Sequence, residues 1–478
     1  MKHSIFYNGQ WQSHEGGYFN VYDPSNGTSL GLVPNASQED MEKIIRSAYD
    51  SFEFWSEQTA EFRCDLLEKL YDLVMAEKEE IATIMTKENG KPYTESLGEV
   101  VYGANFLKWY SEEGKRVYGQ FIPSSQVNKR IMVRKQPVGV VYGITPWNFP
   151  FAMITRKMAP ALAAGCPFII KPAQETPLTA IKFFELVEKV GFPKGVASLV
   201  TGDARSLTEV VMKDERVRKI TFTGSTEVGK LLMSQSSQTV KKISLELGGH
   251  APLIVFEDAD IDKAVAGTIA SKFRNCGQVC IATNRVFVHE SIKEQYTAAL
   301  IEAVKSLKIG NGFEEHVKIG PVINKKGHDK IHLQLEDALS KGAILLSGGQ
   351  SNHVGEIDSV GYFFEPTIID QVTTDMDIFY DETFGPVIPI ITFSDDDEAI
   401  RLANDTPYGL ASYFFTESIS RGFRVSEKLD YGMVGFNTGA ISSAQAPFGG
   451  FKESGIGREG GHFGLEEYLE VKYICLEI

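Results

Sequence analysis

The chain has 478 residues, 43% hydrophobic and 23% charged, enough to bury large cores in two or three domains. A formal net charge of −15 argues against a nucleic-acid partner, which needs a basic face. Five scattered cysteines argue against a disulfide framework and for a reducing, cytoplasmic setting.

The opening segment, "MKHSIFYNGQWQSHEGG", lacks an apolar signal core. From 39 to 90 the pattern is helical, with Met41, Ile44, Ile45, Ala48 and Phe52 at helical spacing. The segment 128–136 alternates like a half-exposed strand, as does 468–478 near the other end. A lone ribbon is marginal in water, so such strands are expected to pair with another chain, which predicts a homo-oligomer. From 138, short β-branched runs alternate with helical ones, and this spacing requires crossover connections. The expectation is α/β, a parallel doubly wound sheet. A second alternating series starts with "APLIVF" near 250 and runs to "MVGFN" near 437. The apolar run "ALAAGCPFII" at 161–170 is too short and too broken by Gly and Pro to cross a bilayer.

Open α/β sheets bind ligands in the loops after their strands, and four such loops carry unusual residues. In "YGITPWNFPF" (142–151), Asn148 is either the cap of a helix whose first residue is Pro150, or an amide donor to a developing oxyanion. In "IIKPAQETP" (169–177), Lys171 is either a solvated surface lysine or a cation for a ribose or phosphate. "TFTGSTEVGK" (221–230) reads strand, Gly-rich turn, helix, which puts Ser225 near amides that favour phosphate. It is not a G-x-G-x-x-G fingerprint. In "KISLELGGHAP" (242–252), Glu246 between two leucines is either an outward-facing strand residue or a carboxyl whose raised pKa suits base catalysis. His250 reads as a loop residue. The nine histidines do not cluster and no C-x-x-C occurs, so no metal site is indicated. Cys276 and Cys280 remain in "FRNCGQVCIATNR" (273–285); either is a buried small hydrophobe or a nucleophile.

These loops in this order, with "GQVC" behind them and "ETFGPV" at 382–387, resemble the aldehyde dehydrogenase superfamily. The match runs from "YNGQW" to "PFGGFKESGIGRE" at 447–459. The resemblance implies an NAD(P)-binding domain at 1–121 and 141–250, a catalytic domain at 251–440, and oligomerisation strands at 122–140 and 462–478 of a homodimer or homotetramer. It makes Cys280 the nucleophile and Glu246 the general base. Asn148 and the Cys280 amide then hold the oxyanion of a thiohemiacetal, which becomes a thioester and is hydrolysed without metal. Cys276 then falls on the preceding helix in a structural role. Trp147, Lys171, Pro172, Ala173, Gln174, Gly224, Ser225 and Leu247 match cofactor positions; Glu382 and Phe384 match those placing the nicotinamide ribose and ring. Gln174 stands where NAD-preferring members carry Glu, which leaves NAD or NADP permissible.

Within the superfamily the chain looks most like succinate-semialdehyde dehydrogenases, through "MITRKMAPALAAGC", "SKFRNCGQVC" and "GREGGHFGLEEYLEVKY". That likeness implies that Arg156, Arg274 and Ser442 hold the far carboxylate, with Ser443 an adjacent alternative. Arg274 precedes Cys280 by six residues, roughly 9 Å if all were helical. Ala282 replaces the second cysteine with which some members form a redox disulfide. Other substrates weighed are glutarate semialdehyde and uncharged aldehydes; a coenzyme A-acylating enzyme and a non-catalytic protein on the same scaffold are more remote.

Overall fold

Ser37 starts the first helix through a capping box: its hydroxyl accepts from the Asp40 amide at 3.1 Å and the Asp40 carboxylate accepts from the Ser37 amide at 2.9 Å. The helical stretch from 39 to 90 resolves into three helices, Gln38–Glu57, Ala60–Ala76 and Lys78–Asn89, with Thr59 capping the second. Gly90 ends the third at φ +88°, where a Cβ would lie 2.6 Å from Pro321 and 2.9 Å from Pro24. Only glycine combines that angle with that approach. A fourth helix, Tyr93–Glu113, follows directly. The computed structural model describes residues 3–14, 16–351, 353–354, 357–358 and 361–478.

From Val140 the chain forms the expected α/β sheets. Parallel strands Val140–Ile144, Phe168–Lys171 and Ala197–Leu199 build outward in one direction. The chain then returns to lay Val217–Thr223 and Lys242–Glu246 on the other side of Val140–Ile144. Antiparallel pieces close the edges: the hairpin of Ile5–Tyr7 and Gln10–Gln12 on one side, Gly455–Ile456 beside Glu246 on the other. The order therefore reverses between Val140–Ile144 and Val217–Thr223, and a crevice opens beyond their carboxyl ends.

A second, seven-stranded sheet is built from 251–436, with Val387–Phe393, Thr283–His289 and Ala251–Val255 at its centre and Ala411–Phe415 beside the last of these. Strands such as Val140–Ile144, Ala251–Val255 and Ala411–Phe415 are buried at every position, because helices cover both faces of a parallel sheet. No helix among the described residues is long and apolar enough to cross a membrane.

The two alternating segments pair with each other. Lys129–Pro137 and Leu469–Glu477 form an antiparallel ladder over their whole lengths, and Gln120–Ile122 adds a third strand. The pairing of these two strands within the chain is a contact that the sequence pattern alone did not display. Each strand satisfies the other's backbone groups, and only the outer edges stay open.

Candidate active site

The helix Ile261–Lys272 ends just before the cysteine loop, and the chain then turns sharply. Asn275 and Cys276 adopt left-handed angles, φ +50° and +57°, followed by Gly277 at +76°. Cys276 is thus buried in a turn, not on the helix, and the helical spacing from Arg274 to Cys280 does not apply. Two left-handed non-glycine residues are costly, and side-chain contacts hold them: the Asn275 amide donates to Glu95 Oε2 at 2.7 Å, and its Nδ2 donates to the Asn148 carbonyl at 3.0 Å. The turn lays Cys280 against Gly249, where a Cβ would stand 2.1 Å from the Cys280 carbonyl oxygen. The lack of a side chain at Gly249 is what lets these segments touch.

A cavity of about 500 Å3 opens at the crevice, and Trp147, Asn148, Gly224, Ser225, Leu247, Cys280, Glu382 and Phe384 all line it. Asn148 is not a helix cap. The helix after it begins at Ala152, so Pro150 is not its first residue, and the Asn148 side chain instead donates to the Gln278 carbonyl at 3.0 Å. One amide proton of that NH2 group remains available. Ser225 does cap its helix, accepting from the Val228 amide at 3.4 Å. The Glu382 carboxylate accepts from the Gly249 amide at 3.1 Å, and Phe384, at φ +55°, stands edge-on to Trp147 at 5.6 Å.

The remaining expected residues are not among those that line this cavity. Glu246 ends its strand, buried directly before Leu247. Lys171 is 3% exposed, not a solvated lysine; Pro172 is buried, Ala173 half-buried and Gln174 exposed. Gln174 lines an adjoining cavity that shares Glu175, Ile323 and Asn324 with the first. His250 is no open-loop residue: it is buried, with Nε2 2.8 Å from the Phe379 carbonyl. Arg274 is exposed, its guanidinium 4.9 Å from the centre of the Phe149 ring, and makes no ion pair among the described residues. Arg156 is buried, 2.7 Å from Glu459 and 4.0 Å from the centre of the Phe448 ring. Ser442 and Ser443 are equally half-buried in the loop after Met433–Phe436.

The aldehyde dehydrogenase family model matches residues 11–474. The chain is 48% identical to the 3-sulfolactaldehyde dehydrogenase of Pseudomonas putida, over 100% of this chain and 97% of that one. It is 47% identical to the succinate-semialdehyde dehydrogenase [NADP(+)] of Escherichia coli, over 98% and 96%. The crystal structure of succinate-semialdehyde dehydrogenase from Burkholderia pseudomallei superposes with a TM-score of 0.97 at 48% identity, covering 100% of this chain and 98% of that one. This chain belongs to the aldehyde dehydrogenase family.

In this aldehyde dehydrogenase the charged groups behind the cavity are tightly arranged. Lys157, next to Arg156, ion-pairs with Glu459 and donates to Thr223 Oγ1 at 2.5 Å. Burial raises the Glu246 carboxyl well above its ordinary range; Glu459 adds to the rise, and Arg156, Lys157 and Arg458 oppose it. Burial also pushes the Cys280 thiol up to about 12, with Arg156 and Arg274 pulling down and Glu382 and Glu246 pushing up. Glu382 is raised to about 7, mainly by burial. Lys171 is lowered to about 8 by burial, against Glu175 and Asp203. Sequence reasoning missed Lys157 and Glu459. Both lie inside quoted motifs, "MITRK" and "GREGG", but their pairing joins segments 302 residues apart, which no local pattern displays.

Proposed function

We propose that this dehydrogenase oxidises succinate semialdehyde to the dicarboxylic acid with NAD or NADP, using Cys280 as nucleophile. The observation that carries the substrate reading is Arg274: an exposed guanidinium over Phe149, without an ion pair among the described residues, whose charge reaches Cys280. Arg156 supports it. Its Nη2 is buried without a hydrogen-bond partner among the described residues, and its Nε lies close to Glu459 but out of hydrogen-bonding alignment. A substrate carboxylate would satisfy that orphaned donor.

The chemistry follows from the residues. A thiol pushed up to about 12 is protonated at neutral pH, so attack requires a base. Glu246, with its raised pKa, is suited to accept that proton. Sulfur then adds to the aldehyde carbon, and the free Asn148 amide proton stabilises the oxyanion. Loss of hydride from the adduct leaves the Cys280 thioester, and Glu246, once it has released the thiol proton to solvent, deprotonates the water that opens it. The residues fit a dinucleotide: Ser225 opens an 11-residue helix at the cavity, and buried Lys171 has no ion-pair partner among the described residues. Trp147, Lys171, Pro172, Ala173, Gln174, Gly224, Ser225 and Leu247 would hold it, with Glu382 and Phe384 at the nicotinamide end. Bound there, it supplies the hydride acceptor.

The first sheet then serves the cofactor and the second the thiol. The three-stranded ribbon, whose Phe121, Val471 and Tyr473 are 79%, 67% and 63% exposed, is our candidate surface for a homodimer or homotetramer. Five free cysteines support a cytoplasmic setting. The test is kcat/KM for succinate semialdehyde against butanal, with each nucleotide. A preference of several hundredfold, about 3.5 kcal/mol in the transition state, is expected; near-equal rates would remove the substrate reading and leave the dehydrogenase. Glutarate semialdehyde belongs in the same assay, because one methylene changes binding only modestly.

A further inference from the structure

A buried ion pair lies directly against Asn148. Lys91, from the turn between two helices, and Glu99, from the helix Tyr93–Glu113, have side chains 1% exposed and stand 2.5 Å apart, Nζ to Oε2. Lys91 Nζ donates a second hydrogen bond, to the Asn148 carbonyl at 2.7 Å, and lies 4.3 Å from the centre of the Phe149 ring. The other oxygen of Glu99 accepts from the Phe151 and Ala152 amides at 3.0 and 3.1 Å. Those amides open the helix Ala152–Ala164, whose own cap residue supplies no side-chain bond. Glu99 therefore does the capping that Asn148 does not, and Lys91 pins the residue just upstream.

The two contacts fix the segment from 148 to 152 at both ends. With Asn275 Nδ2 as a second donor at 3.0 Å, the Asn148 carbonyl carries two hydrogen bonds, which set the plane of its peptide group. The Asn148 side chain is held in turn by its bond to Gln278. A buried ion pair is a weak source of stability, since well-packed apolar residues often replace one at no loss. What this one does is define where a backbone carbonyl and a helix start must sit.

We propose that Lys91 is a positioning residue for the oxyanion site: clamped by Glu99, it fixes the Asn148 backbone so that the side-chain amide meets the oxyanion. The proposal rests on Asn148 being the oxyanion donor. Removing such a donor costs ~10²–10³ in kcat, and a displacement of about 1 Å can cost ~10². Losing Lys91 should therefore lower kcat by ~10–10²-fold.

The test is the paired variant Lys91→Met/Glu99→Gln, made in the wild-type and Asn148→Ala backgrounds. It removes both charges together, so neither is stranded, and Gln keeps an acceptor for the Phe151 and Ala152 amides. The expected result is a ~10–10²-fold fall in kcat in the wild-type background, with nucleotide affinity by fluorescence titration and Tm little changed. In the Asn148→Ala background the same pair should cost less than about twofold further, because the group it positions is already gone. Lys91→Met alone should share the kcat loss and lower Tm as well, since it strands Glu99. An equal fold-loss in both backgrounds would mark a merely structural role and overturn the proposal, as would an unchanged kcat in the paired variant. If Asn148→Ala alone costs less than tenfold, the donor reading fails first and takes the proposal with it.

Discussion

Arg274→Met tests the substrate reading with little disturbance to the fold. The guanidinium is exposed and stacked on Phe149 at 4.9 Å, and it has no ion pair among the described residues to break. Met keeps an apolar stem over the ring and removes the charge. A hydrogen bond to a charged group contributes about 1.5–3 kcal/mol, which corresponds to roughly 10–150-fold in kcat/KM. Water around Arg274 in the free enzyme pulls the effect toward the lower end. The assay is kcat/KM for succinate semialdehyde and for butanal on the same preparations. The semialdehyde value should fall by this factor and the butanal value should stay within about twofold. Raising the salt should also narrow the wild-type preference, because a partly exposed pair is screened. Equal losses on both aldehydes would show that Arg274 supports the cysteine loop instead, and no loss on either would leave it without a role. Arg156 gives no comparably clean test: its removal would leave Glu459, buried beside Glu246, with one cation fewer.

Asn148→Ala should lower kcat by ~10²–10³, read by steady-state turnover; a fall below tenfold would refute the oxyanion role. Cys280→Ala should abolish oxidation, and Glu246→Gln should accumulate an acyl-enzyme visible by intact mass, whereas only free enzyme at steady state would count against the base assignment. Glu459→Gln removes a charge that raises the Glu246 pKa and frees Arg156 and Lys157, which lower it. Glu246 works ionised, so the acidic limb of the kcat/KM profile should move to lower pH; an upward shift would refute the coupling. Lys171 is held down to about 8 by burial, against Glu175 and Asp203, so it loses its charge as pH rises through that value. The ratio of NADP to NAD affinity should then fall between about pH 7 and pH 9, and a flat ratio would show that Lys171 does not meet the 2′-phosphate.

What was legible in the sequence follows from where chemistry sits on an α/β sheet. Asn148 and Ser225 lie in short loops just after a strand and Glu246 ends one, so the strands make their places predictable; Cys280, which follows the helix Ile261–Lys272, was legible through its motif. What was not legible depends on contacts between distant segments. The Asn148 cap reading failed because Glu99, 52 residues from Phe151, supplies the cap. The helix expected through Cys276 failed because Glu95, 180 residues from Asn275, helps hold a left-handed turn. The ribbon looked unpaired because its two long strands are separated by most of the chain. The first two cases share a physical cause. Local propensity sets an element until a buried side chain from elsewhere offers its backbone a better partner, and such partners concentrate around a site that must hold several loops in one geometry. The departures from local expectation at 148–152 and 275–277 therefore point to the same place as the motifs do: the junction where Asn148 and Cys280 are brought to one cavity. Lys91 and Glu99 stand behind that junction, which is why the residues hardest to read from the sequence are the ones proposed to tune its geometry.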